Sequence, residues 1–348
     1  MRNRLRRYAP IFTLLVLAPF VGEVLFGVTP LSRLPFFLAQ VGMYGGGALM
    51  IREIVRRRGL SSWWLVSLGI AYGIVEEGLV LQSLFNPHFP GLDILGSYGR
   101  AGGVNWVWAE FILGYHAIFS ITIPVVLTEL MFPGRSAKPW LARRGWLAVL
   151  ALFLGNCFFL AVFLNGWSGS KQTPTPRWLL ITSAVVVGAI VGSALRAKSA
   201  AVAETASGRP SASALRLRLI GLLGALGWFG VRIFVVGDGH QMPAAVALLA
   251  WPAVALLVSL SVQRWSVRGQ QWPPFDVYTI TAGALPISWL FGVLIVAVSS
   301  RVPIVDLVGH LLFGLAAIFA LRAVRKSCRP DLVTPSGGGP GLGVAGED

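Results

Sequence analysis

Apolar runs about as long as a bilayer crossing alternate along this chain with short stretches holding arginine, proline and asparagine. A helix rises about 1.5 Å per residue, so about 20 apolar residues cross a hydrocarbon layer about 30 Å thick. That pattern predicts ten membrane-spanning helices, near residues 10–28, 34–51, 61–84, 104–131, 145–165, 177–196, 217–236, 241–262, 275–299 and 302–321. Ser61-Ser62-Trp63-Trp64 introduces the third, and the fourth begins at Asn105-Trp106-Val107-Trp108. Trp140, Trp146, Trp167, Trp178, Trp265 and Trp272 also fall near predicted ends, where amphipathic rings settle at the headgroup level.

The fold class that follows is an all-α polytopic integral membrane protein with one membrane domain over residues 1–325. Residues 326–348, which include Gly337-Gly338-Gly339-Pro340-Gly341, read as a disordered tail. An arginine-rich start followed by an apolar run can mark a signal peptide. Here Glu23 interrupts the run and no small-residue cleavage pattern follows, so an uncleaved first span is expected.

Composition excludes an ordinary soluble domain. Charged residues are 12% of the chain against about 25% in soluble proteins, and mean hydropathy is +0.72. The two cysteines, Cys157 and Cys328, supply neither a disulfide framework nor a CxxC metal site.

Charge placement predicts orientation. With ten spans, 23 of the 29 basic residues fall at the N-terminus, the C-terminus and every second loop, including Arg52, Arg56, Arg135, Arg196 and Arg264. Five lie in the alternate loops (Arg33, Arg100, Lys171, Arg177 and Arg301), and Arg232 lies within span seven. This bias places both termini on the cytoplasmic side, in what reads as the cytoplasmic membrane of a prokaryote. It also accounts for the net charge of +15 without nucleic acid: the basic residues are spread over many loops. Membrane lipids are the expected partners, including contact with anionic headgroups.

The chemistry lies in polar groups inside the apolar runs: Glu23, Glu76, Glu77, Glu110, His116, Asp306 and His310. At such depth a polar side chain is costly unless it pairs, lines water or binds an ion, so these residues are the candidate ligand or ion cavity. The predicted topology puts all seven in the same half of the membrane. Asp306 and His310 are four apart and share a helix face, where a hydrogen bond would orient the imidazole. Glu76 and Glu77 are consecutive and, on an α-helix, point about 100° apart, which predicts that only one faces the site. Glu129 and Asp276 are expected to be solvated at the boundary. Gly42, Gly45, Gly46 and Gly47 thin the middle of span two for a close crossing. No phosphate-loop lysine and serine follow these glycines, and no dinucleotide fingerprint appears. The connection from Asn86 to Gly103, with Pro87, His88, Pro90, Asp93 and Arg100, is either a structured link or a lid over the adjoining face.

Three functions fit these residues. Ten spans divide into two sets of five with opposite orientation, as in inverted-repeat transporters, and buried carboxylates would couple a proton or cation to movement of a solute or lipid. Alternatively, a glutamate activates water beside a divalent metal, zinc in particular, held by histidine and carboxylates, with Glu77 and His116 as the first ligands and Glu76 or Glu77 as the catalytic group. A third reading is a noncatalytic assembly or lipid-binding protein whose buried pairs stabilise packing.

The enzyme reading also rests on a resemblance. Val75-Glu76-Glu77-Gly78 followed by Phe111 to His116 resembles the CAAX-protease and bacteriocin-processing membrane family, which carries a paired-glutamate motif, a phenylalanine–histidine motif and a later histidine motif. Leu81 stands at the family's arginine position, the Phe111–His116 interval is one residue longer, and Gly314 stands where Asn or Asp follows the later histidine, here His310. The resemblance covers residues 76–116. It implies that Glu76, Glu77 and His116 form a metal site that activates water for hydrolysis within the membrane.

Overall fold

The computed structural model describes residues 2–89, 92, 97–167, 174–199, 212–236, 242–266 and 272–327. Among these are ten helices long and apolar enough to cross a membrane: Arg7–Val24, Leu31–Arg57, Trp63–Val80, Trp106–Met131, Arg143–Phe163, Arg177–Arg196, Ala214–Val236, Ala244–Trp265, Pro274–Ser299 and Pro303–Arg325. They are referred to below as spans one to ten. The expected number stands and the boundaries shift by a few residues. The last helix continues to Ser327, so the expected tail begins no earlier than residue 328 and lies outside the described residues.

Burial separates a core from a periphery. Span four is 83% buried over its most apolar window and spans one to three are 44–56% buried, whereas spans five and eight are only 11% buried and span six 17%. Span four is therefore the centre of the bundle: spans one to three pack on it, and its Phe111 ring also meets Phe229, Trp251 and Phe291 of spans seven, eight and nine. Spans seven and nine pack closely along their length through reciprocal glycines. An added Cβ at Gly221 would collide with the Ile280 carbonyl, and one at Gly283 with the Arg218 carbonyl. The glycines of span two act similarly: Gly45 meets the Leu15 backbone, and Gly47 lies against the Tyr72 and Phe153 rings. Small residues at a crossing let backbones approach and gain dispersion contacts where water supplies no hydrophobic drive.

The helices of the core are not uniform. Wide π-helical turns occupy Phe20–Val24 in span one, Val41–Gly45 in span two, Ile74–Val80 in span three and His116–Thr122 in span four. In span four the wide turn ends just before Pro124, which has no N–H to continue the ladder. Thr122 Oγ1 donates to the Ala117 carbonyl at 2.7 Å, using an acceptor in the altered turn.

One short antiparallel hairpin interrupts the helices, pairing Arg100–Ala101 with Val104–Asn105. Gly102 and Gly103 both have positive φ, +56° and +79°, as a two-residue turn of this kind requires. Arg100 Nη1 donates to the Phe85 and Gly103 carbonyls, each at 2.9 Å, and Asn105 N donates to the Leu84 carbonyl at 2.9 Å. These bonds fasten the hairpin to the end of span three. Pro90 and Asp93 of this connection lie outside the described residues. Asn105 then caps span four, its Oδ1 accepting from Trp108 N at 3.0 Å.

At the other end of the bundle, two expectations are corrected. Arg52 is not a loop charge, and Glu129 is not solvated: both are buried. Arg52 is enclosed completely, and its guanidinium donates to Glu129 Oε1 (3.0 Å), Glu53 Oε1 (2.9 Å), the Lys138 carbonyl (2.9 Å), the Ser136 carbonyl (2.5 Å) and the Arg135 carbonyl (3.3 Å). Arg56 clasps the same Glu129 at 2.8 and 2.7 Å, and Glu53 accepts from Trp140 N at 2.7 Å. The Trp140 ring lies 3.6 Å from the Arg52 guanidinium carbon. This network joins span two to span four and folds the connection after Met131 back onto both. Asp276, also expected at the surface, is buried in the first turn of span nine.

Removing one member of a buried charge network strands the others. Arg52→Met is expected to lower stability by about 3–5 kcal/mol, because Glu53 and Glu129 lose a shared cation. Unfolding of detergent-solubilised protein measures it. Arg143→Met, at an exposed position, should leave the unfolding midpoint unchanged.

Candidate metal centre

Glu77 and His116 face each other across the crossing of spans three and four. His116 Nε2 lies 3.1 Å from Glu77 Oε1, and His116 Nδ1 lies 3.0 Å from Ser120 Oγ and 3.4 Å from Glu76 Oε2. One atom from each of Glu76, Glu77 and His116 falls within 4.8 Å of the others, and all three residues are buried. The expectation that consecutive glutamates could not both face one centre is therefore wrong. They lie on the π-helical turn Ile74–Val80, which takes more residues per turn than an α-helix and so separates neighbours by a smaller angle. The imidazole then presents one nitrogen to each carboxylate.

The crossing must be close for this to happen. An added Cβ at Gly69 would sit 2.7 Å from Ala117 Cα, beside His116, and one at Gly73 would sit 3.3 Å from His116 Cβ. Around the imidazole stand three tyrosine rings, those of Tyr44, Tyr72 and Tyr115, with centroids 5.8–5.9 Å from the histidine ring. Tyr115 Oη donates to the Gly22 carbonyl at 3.0 Å, tying span four to the wide turn of span one. Glu77 Oε2 accepts from Ser83 Oγ, and Trp108 Nε1 donates to that hydroxyl at 3.0 Å.

Glu23 belongs to an adjoining cluster. Its Oε1 accepts from Tyr44 Oη at 2.5 Å, and its Oε2 accepts from Thr29 Oγ1 at 3.0 Å and Gln40 Nε2 at 2.9 Å. Tyr44 connects the two groups, its hydroxyl on Glu23 and its ring against His116. Four wide turns thus supply Glu23, Tyr44, the glutamate pair and His116 with Ser120. The sequence contained one signal for Ser120, its spacing four residues after His116. Tyr44, Tyr72 and Ser83 carried none, because neutral polar side chains are common in membrane helices.

The other candidates are elsewhere. Glu110 is half-buried on span four and takes no part in the three-residue group, although its Oε2 has no hydrogen-bond partner. Asp306 does not orient His310. Its carboxylate accepts from Ser32 N (2.8 Å), Ser32 Oγ (2.8 Å) and Ser300 Oγ (2.5 Å), fixing the turn before span ten to the start of span two. His310 instead places Nε2 3.1 Å from the Trp289 carbonyl, and Trp289 Nε1 donates to the His310 carbonyl at 3.0 Å. Sharing a helix face did not suffice, because a serine hydroxyl on each of two neighbouring segments reached Asp306 first.

The donor set suits a divalent cation. Two carboxylates and one imidazole, all oxygen and nitrogen donors, supply two negative charges, and three protein ligands leave a coordination position open. Among the described residues His116 is the ion-pair partner of both glutamates, and no lysine or arginine pairs with either. Ser120 and Ser83 contact the histidine and Glu77 from behind, as outer partners orient ligands. Two buried atoms here make no hydrogen bond: Glu76 Oε2, whose contact is the 3.4 Å ion pair with His116 Nδ1, and Tyr72 Oη. Buried polar atoms without partners in a native core call for a water or an ion.

Residues 12–327 match the model of an uncharacterized membrane protein family. The chain belongs to that family. The matched stretch reaches into all ten spans and contains the whole Glu76–Glu77–His116 group, and the chain is an integral membrane protein. Comparison with curated proteins and with solved structures returns no match.

The geometry of the crossing is testable without knowing a ligand. Gly69→Ala should force spans three and four apart and markedly lower the thermal unfolding midpoint. Gly78→Ala, whose new methyl group would lie 3.5 Å from its nearest neighbour, should leave the midpoint unchanged or slightly raised.

Proposed function

We propose that this protein is a membrane-embedded, metal-dependent hydrolase whose centre is Glu76, Glu77 and His116. The observation that carries the reading is the close approach of two carboxylates and an imidazole in the buried crossing of spans three and four, with no lysine or arginine among the described residues paired to them. A buried anionic pair is too costly to keep uncompensated, and a divalent cation matches both its charge and its donors.

A divalent ion bound there supplies a Lewis acid and lowers the pKa of water at neutral pH. The protein's own residues do the rest. Glu77 is held on both oxygens, by His116 and Ser83, which makes it an anchored ligand. His116 is held by Ser120 and by the surrounding tyrosines. Glu76 Oε2 makes only the longer 3.4 Å contact with His116 Nδ1 and no hydrogen bond, so Glu76 is the less tightly held carboxylate and the one that would take a proton from water. Tyr72, whose ring faces the same imidazole and whose buried hydroxyl makes no hydrogen bond, would donate to the oxygen of a carbonyl undergoing attack. The enclosing spans exclude bulk water, and a substrate with an apolar body would approach from the lipid side. The resemblance of Glu76-Glu77 and His116 to the CAAX-protease and bacteriocin-processing family supports the same assignment.

Ion-coupled transport is the second reading, since the same carboxylates would take up a cation. Against it, the one group of three metal-ligand residues among the described residues lies in spans three and four, while the buried Asp276, Asp306 and His310 of the second set of five form no such group.

Proteoliposomes containing the full chain test the proposal with fluorogenic apolar peptides and esters. Hydrolysis is expected, to be abolished by a membrane-permeant chelator, restored by zinc or manganese, and reduced at least about 100-fold by Glu76→Gln. Hydrolysis unaffected by both chelator and Glu76→Gln would refute the assignment.

A further inference from the structure

A cavity of about 260 Å³ opens at the end of the bundle opposite Arg52, between the turn joining spans one and two and the turn joining spans nine and ten. Its lining includes Arg33 and Arg301, one from each turn, together with Ser32, Ser300 and Asp306. These arginines come from opposite ends of the chain and are two of the five basic residues that the topological charge bias leaves unexplained. Both are exposed, and among the described residues neither enters an ion pair. Asp306, whose oxygens accept from Ser32 N, Ser32 Oγ and Ser300 Oγ, attracts Arg33 without forming an ion pair with it. The cavity therefore presents two guanidinium groups and one carboxylate, leaving one positive charge in excess. The 25-residue helix Pro303–Ser327 begins beside it and adds the positive end of its dipole. Spans two and ten both start here, so the cavity sits at one end of the apolar helices.

We propose that this cavity is an anion site for a phosphate group, either the headgroup phosphate of an anionic phospholipid or free phosphate. Guanidinium groups match phosphate oxygens in geometry as well as charge, and the volume accommodates a phosphate with its adjoining carbons. Ser32 and Ser300, with their hydroxyls turned to Asp306, set the spacing of the two turns and hence of the two arginines. The site is remote in sequence from Glu76, Glu77 and His116 and does not depend on the hydrolase reading.

The full chain, delipidated in a neutral detergent, is titrated with phosphatidylglycerol, phosphatidylcholine and inorganic phosphate while thermal stability and retained lipid are followed. Phosphatidylglycerol is expected to raise the unfolding midpoint and to stay bound, with phosphatidylcholine weaker. The pair Arg33→Gln and Arg301→Gln together should weaken this binding about tenfold or more. Stabilisation by inorganic phosphate to the same degree, lost in the same double variant, would assign the site to a free anion. Arg177→Gln, at an exposed basic residue starting span six on the same end, should bind as the wild type does. Equal phosphatidylglycerol binding by the double variant, or an equal loss in Arg177→Gln, would overturn the proposal.

Discussion

The central constraint is electrostatic. Two adjacent carboxylates face one imidazole at a helix crossing from which water is largely removed, and an imidazole cannot offset two negative charges. Either a proton or a cation must neutralise the group. The converging atoms are of the kinds that could hold a divalent cation. Much of the core is arranged to permit that convergence: a glycine crossing brings the backbones together, and wide turns on four spans rotate polar side chains inward.

The Arg52 network shows the contrasting solution at the other end of the same helices. There Glu53 and Glu129 are also buried, yet each is matched by guanidinium groups, and all five Arg52 donors have acceptors. That cluster is complete and structural. Spans two and four are thus clamped at one end by an ion network rich in guanidinium groups, while the group in the middle of span four sets two carboxylates against a single imidazole.

Much of this was legible in the sequence. Ten apolar runs announced ten spans because each must hide its own backbone in hydrocarbon. Glu76, Glu77 and His116 stood out because charged or ionisable groups are rare in such runs. The convergence of the glutamate pair was not legible, since it depends on a π-helical turn that no periodicity argument at 100° per residue contains. Asp306 and His310 failed for another reason: helix spacing shows which residues can meet but not which neighbouring hydroxyl arrives first. Arg52 was hidden by its place at the end of an apolar run, where a topogenic charge and a buried one look alike. Tyr44 and Ser83 left no trace because their roles depend on which helices neighbour which.

Metal content is the most direct test. Protein purified without a metal-affinity tag and weighed for bound metals should carry about one zinc or other divalent ion per chain. His116→Ala, shown to be folded by its unfolding transition, should lose that ion. An intact wild-type protein free of divalent metal, and unable to take up zinc or manganese when either is added, would contradict the account and leave the Glu76–Glu77–His116 group as a proton-neutralised element of packing.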